Sequence, residues 1–212
     1  MMRWMVLTVV CVLMAPAVRA ETGPPTPPPT YDIPFDDYDE TLIQTEMASQ
    51  VAAFLETMQR HHGAGAAALR HALHGDLASD EPGKLIFRRS LADHGVIEGY
   101  EFKNDALVRG EYRCLQQPIN SLNEFIGYYT AVKAALVKVL GAPLQDETVW
   151  SNDLYQALPD YWGVAVLIGH LRYAARWDTP QGSISVELTG NRHSRLVIEY
   201  HSAESRLSRQ HT

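Results

Sequence analysis

Cysteine is nearly absent: the 212 residues contain only Cys11 and Cys114. A scaffold stapled by disulfides is therefore excluded, and stability has to come from packing. Long apolar runs are also scarce. The longest, residues 4–14, has 11 residues, well short of the roughly 20 that a spanning helix needs. Positive charge is in deficit, with 18 Lys and Arg against 25 Asp and Glu, which argues against a general nucleic-acid binder. Short catalytic signatures are missing as well. There is no GxSxG elbow, Walker A loop, CxxC pair, S-x-x-K pattern, dinucleotide glycine fingerprint or N-glycosylation sequon. What remains, 46% hydrophobic and 20% charged, is the composition of an ordinary globular domain.

The first segment has the pattern of an export signal. Arg3 precedes the apolar run, Pro16 breaks it, and Val18 and Ala20 are the small residues at the −3 and −1 positions of a cleavage site. Residues 1–20 are thus expected to be a signal peptide, which places the mature chain in the periplasm or outside the cell. The bulky Val9 and Val10 before Cys11 do not fit a lipoprotein signal. Cleavage would remove two arginines and no acid, moving the net charge from −7 to −9, and no spanning segment would remain. Six of the twelve prolines fall in residues 23–34, which predicts an extended proline-rich spacer over 21–34.

A single α+β domain is expected over 35–203, followed by a flexible tail at 204–212. A first helix should start near Asp37 and reach about Arg60, with Ile43, Met47, Val51, Phe54, Leu55 and Met58 on one stripe. A short helix at 66–74, a polar loop at 75–83, a strand carrying Leu85, Phe87 and Leu91, and a hairpin of 96–102 with 107–114 should follow. In the last of these strands Val108, Gly110, Tyr112 and Cys114 are expected to share the buried face. The spacing of Ser121 and Glu124 is that of a capping box, opening a long helix over 121–140. A helical stretch over 160–168 is expected to pack on the sheet.

The sheet should be mainly antiparallel, packed against the long helix, and end in a three-stranded meander. Turns at 179–182 and 190–194 pair Trp177 with Ile184 and Tyr200, Ala175 with Val186 and Ile198, and Tyr173 with Leu188 and Leu196. A one-residue slip would turn all of these to water, so the register is strongly specified. The reverse face then carries Arg172, Arg176, Glu187, Glu199 and His201, with Ser183 opposite His201. Such a face is read first as a solvated ladder.

Two further groups are candidate sites. His61, His62, His71 and His74 are weak candidates for a metal, because imidazole is a common ligand but no HExxH spacing is present. Trp150 and Tyr155, set among Asp146, Glu147, Asn152 and Asp153, are the best candidates for an exposed recognition patch. Trp162 and Trp177 are expected in the core. No catalytic residue and no cofactor is assigned. The expected role is an exported, non-catalytic binding or assembly module that contacts a protein or envelope component. The alternatives are an envelope hydrolase without a local signature and a histidine-based metal-binding protein.

Overall fold

The computed structural model describes residues 40–73, 76–91, 94–114 and 123–204. The chain divides into the units Met1–Asp37 and Tyr38–Thr212, and the described residues all belong to the second. The signal, the spacer, Asp37, Ser121, Leu122, His74 and the tail beyond 204 lie outside them, as do the side chains of Ile43 and Leu91.

Among the described residues the fold is α+β and mostly sheet. Its elements run α1 (Glu40–Arg60), α2 (Ala66–Ala72), β1 (Asp76–Glu81), β2 (Lys84–Leu91), β3 (His94–Lys103), β4 (Ala106–Cys114), α3 (Glu124–Leu140), β5 (Gln145–Trp150), a 3-10 turn (Pro159–Tyr161), α4 (Trp162–Leu167), β6 (Leu171–Thr179), β7 (Gly182–Gly190) and β8 (Ser194–Ser202). One antiparallel sheet takes the order β1-β2-β3-β4-β8-β7-β6-β5. The chain therefore lays down two helix-and-meander halves, α1 with β1–β4 and α3 with β5–β8. The last strands of the two halves pair with each other.

That arrangement is an internal pseudo-two-fold. At the seam Tyr112 faces Ile198, and each side chain is buried under the helices. The helices repeat too: Met47, Val51, Phe54 and Met58 of α1 have the same spacing as Phe125, Tyr129, Val132 and Leu136 of α3, and all eight are buried. Both stripes follow the helical period and cover one face of the sheet. At Gly110 of β4 a Cβ would come 2.2 Å from Met58 Sδ, so the missing side chain lets α1 settle on the strand. Gly190 of β7 plays the same part under α4, where a Cβ would lie 2.0 Å from the Val166 carbonyl oxygen.

The β6–β7–β8 register is the expected one at every paired position, including Trp177–Ile184, Val186–Ile198 and Ile184–Tyr200. Trp177, Ile184, Val186 and Tyr200 are buried. The Trp177 indole N–H also donates to the Gly141 carbonyl at the end of α3, at 2.9 Å. The β3–β4 hairpin turns at Asn104 and Asp105, both with positive φ, as a two-residue hairpin turn prefers. Asp105 then accepts from the Ala66 N–H at 3.2 Å and tethers the start of α2.

Three local expectations are corrected, and one strand, β5, enters where none was expected. Most of the polar loop set at 75–83 is the edge strand β1, held by pairing with β2 rather than by an apolar pattern of its own. Residues 145–150 form β5, an edge strand at the other end of the sheet. Val108 is half-buried and Leu107 takes the inward place, because an irregularity at Glu101/Phe102 shifts the β3–β4 register near the turn. The long helix begins at Glu124, with Asn123 rather than Ser121 in the capping position. Asn123 ties that corner to α4 by accepting from the Gly163 N–H at 2.8 Å and donating to the Pro159 carbonyl at 3.1 Å.

Candidate functional site

The helices cover one face of the sheet, and the opposite face carries the polar rows. At its centre Arg109 and His201 are cross-strand partners, as are Glu111 and Glu199. Two like charges placed opposite one another are destabilising on a sheet. Arg109 resolves the conflict by contacting Glu199 at 2.5 Å, Glu101 at 2.8 Å and Glu111 at 2.9 Å. Arg113 also pairs with Glu111. Glu199 meets His201 at 3.3 Å, and this hydrogen bond, together with Arg109, holds its carboxyl down to about 2. Burial works against the charge on Arg109, but hydrogen bonding to Glu199 and the surrounding carboxylates outweigh it and raise its pKa.

The expected convergence on this face is thus partly realised. Glu199 and His201 meet, and Arg172 lies 3.4 Å from Glu187, while Arg176 turns to Asp178 at 3.2 Å. The central Arg109 was not foreseen, because the β4–β8 pairing that brings it there joins strands far apart in sequence. Ser183 and His201 are cross-strand partners, yet no hydrogen bond joins them, so a nucleophile-and-base arrangement is not assembled there. A trough runs over β8 between β4 and β7. Its larger section, about 570 Å³, is lined by Arg113, Thr189, Asn191, His193 and Arg195. A smaller section, about 210 Å³, continues past Val197 to Glu199.

On the helix side a cleft of about 430 Å³ opens between α1 and strands β2 and β3. It contains the buried carboxylate Glu98, 5% exposed. Arg89 Nε lies 2.8 Å from Glu98 and the Tyr100 hydroxyl donates to it at 3.0 Å. Burial, reinforced by Glu98, pushes the Tyr100 phenol far above its ordinary value. Alongside, the Tyr112 hydroxyl donates to Gln50 at 2.9 Å. Glu98 is thus engaged by the Arg89 charge and the Tyr100 hydroxyl, a polar group set within the fold.

The aromatic candidates lie at the opposite edge. Trp150 ends β5, and Tyr155 lies in the turn that follows. Both are half-buried and pack on the margin of the core. Trp150 meets Trp162 edge to face at 5.9 Å, and Tyr155 stacks on Tyr161 at 6.2 Å. Trp162, expected in the core, is half-buried at its margin. The exposed apolar side chains of this segment are Leu154 (63%), Leu158 (48%), Tyr161 (47%) and Ile168. The sequence pattern singled out Trp150 and Tyr155 and not these residues, since isolated leucines carry no period.

The histidines are dispersed. His62 Nδ1 bonds the Tyr200 hydroxyl at 2.8 Å, His61 is half-buried, and His71 is exposed on α2. Among the described residues no cluster of three or more His, Cys, Asp or Glu could hold a metal ion. Cys114 is free and buried, and no described helix is long and apolar enough to cross a membrane. No protein-family model matches the chain, and neither a curated protein nor a solved structure matches it.

Proposed function

We propose that the chain is an exported, non-catalytic binding module that receives an extended segment of a protein partner along β5. The signal pattern in residues 1–20 supports export to the periplasm or beyond, and the proline-rich stretch 21–34 supports a spacer that sets the reach of the domain. The carrying observation is the asymmetry of the two sheet edges. Both edges carry acids, three in β1 and two in β5, but the pairing of β1 is irregular at Leu77/Ser79, a feature that discourages pairing with another chain. β5 is regular, pairs with β6 at six successive positions, and is flanked by the exposed Leu154, Leu158 and Tyr161. An added strand would gain backbone hydrogen bonds from the edge and apolar contact from the flanking side chains.

The test is capture from an envelope extract by wild type and by a Leu158→Ser, Tyr161→Ser variant, followed by cross-linking to locate the contact. These side chains are exposed, so the variant should fold while losing the partner. Equal capture by both proteins, or cross-links that avoid residues 145–161, would refute the reading. Mass spectrometry of the mature protein should find Glu21 at its N-terminus; a retained Met1 would refute export by cleavage.

A further inference from the structure

The trough on the sheet face opposite the described helices is a separate feature, independent of the β5 edge. We propose that it binds a small organic anion, held by its carboxylate or phosphate group between Arg113 and Arg195. The argument begins with charge. The nearby acids are already engaged: Glu111 by Arg109 and Arg113, Glu187 by Arg172, and Glu199 by Arg109 and His201. Arg195 makes no ion pair or hydrogen bond through its side chain among the described residues. Arg113 uses one terminal nitrogen on Glu111, and its Nε is buried without an acceptor. The trough therefore has one cation without an acid and a second only partly satisfied, on a chain whose formal net charge is −7.

Shape and chemistry agree with that charge. Both arginines line both sections of the trough. They come from different strands, Arg113 from β4 and Arg195 from β8, and the Cα partner of Arg113 is Val197, two residues along from Arg195. Val197 is a short apolar floor between longer polar neighbours, which is why the surface dips there. Thr189, the cross-strand partner of Arg195, supplies a hydroxyl beside it. A guanidinium presents a planar fork that matches the oxygens of a carboxylate or phosphate, and an ionised partner makes such bonds stronger than neutral ones. The larger section, at about 570 Å³, is of the size that small-molecule sites take.

The test is calorimetric titration of the folded full chain with inorganic phosphate and, separately, with citrate, at low and at raised salt. At least one anion should bind saturably and more weakly at raised salt, and the two titrations distinguish a phosphate from a carboxylate ligand. Arg195→Gln, which breaks no contact of the fold, should weaken binding roughly tenfold or more, and Arg113→Gln should do the same. Arg70→Gln, on α2 and paired with Asp80 at 2.5 Å, should leave affinity unchanged. Failure of both anions to saturate at millimolar concentration would overturn the proposal. So would unchanged affinity in Arg195→Gln, or equal losses in Arg195→Gln and Arg70→Gln. None of these results bears on β5, so the two readings can fail separately.

Discussion

Arg89 and Glu98 in the first half of the sheet stand where Trp177 and Val186 stand in the second. The correspondence follows from counting back from the hairpin-closing pairs, Leu91–His94 in one and Thr179–Gly182 in the other. The neighbouring positions stay apolar in both halves: Val96 matches Ile184 and Tyr100 matches Leu188, all buried. One backbone plan thus tolerates an ion pair in one copy and an indole with a valine in the other. The ion pair survives because Arg89 reaches the cleft beside α1 and Tyr100 supplies a further hydrogen bond to Glu98. A buried carboxylate without such partners would be strongly unfavourable.

The sharpest way to break this comparison is to place an acid in the second half. Val186→Asp puts a carboxylate at the position equivalent to Glu98 but opposite Ala175 and Ile198, with no cation paired to it. A loss of about 3–5 kcal/mol is expected in chemical denaturation, enough to unfold a marginal domain. A loss below about 1 kcal/mol would mean that the face is not the core.

The reverse exchange sharpens the comparison. Glu98→Val alone removes the acid that Arg89 meets at 2.8 Å, and should cost about 1–3 kcal/mol, moderated because Arg89 borders the cleft. Adding Arg89→Leu should return stability to within about 1 kcal/mol of wild type, since apolar replacement of a buried pair is often neutral. If the double variant is as unstable as the single one, the pair has a structural role that the apolar half does not duplicate.

The two halves also differ in how plainly the sequence declares them. Residues 171–202 alternate without interruption between two turn signals, so the pattern alone specified the β6–β8 register. The first half interrupts its own alternation: Arg89 occupies an inward position of β2, and the irregularity at Glu101/Phe102 exchanges Val108 for Leu107. Both edge strands were invisible for a related reason, because β1 and β5 bury almost no side chain and are strands only through a neighbour. The repeat itself was hidden, since what recurs is spacing and pairing rather than residue identity. The site was legible in proportion. The polar rows of β6–β8 were foreseen, and Trp150 and Tyr155 lie in the same stretch as the exposed Leu154, Leu158 and Tyr161, but Arg109 and Arg113 entered only with the β4–β8 seam, a contact between strands about 90 positions apart in the chain.

That seam gives the next test, a pH dependence. The Glu199 carboxyl is held down to about 2 by His201 and Arg109. A depressed carboxyl stabilises the fold fully above its unfolded value, near 4.5, and loses that contribution as pH falls toward 2. Stability should therefore decline by about 1–2 kcal/mol through this window, after allowance for the partial exposure of the group. Glu199→Gln should flatten the decline and leave the curve above pH 5 nearly parallel to that of wild type. An unchanged acid limb would place the depression elsewhere.

The smallest effect belongs to the outer part of the same face. Arg176 is the cross-strand partner of Ser185 and Gln145, and its ion pair with Asp178 at 3.2 Å is about two-fifths exposed on each side. Water screens such a pair, and holding two long side chains in one geometry offsets much of the attraction. Arg176→Ala should accordingly cost less than about 1 kcal/mol, whereas Arg109→Ala should cost more, because Glu111 and Glu199 would then face each other across β4 and β8 with their shared cation removed. Denaturation of the two variants side by side at neutral pH measures the difference. The gap should narrow as the pH falls far enough to protonate the carboxylates. Equal costs at neutral pH would mean that the polar face is uniform and has no electrostatic centre at the seam.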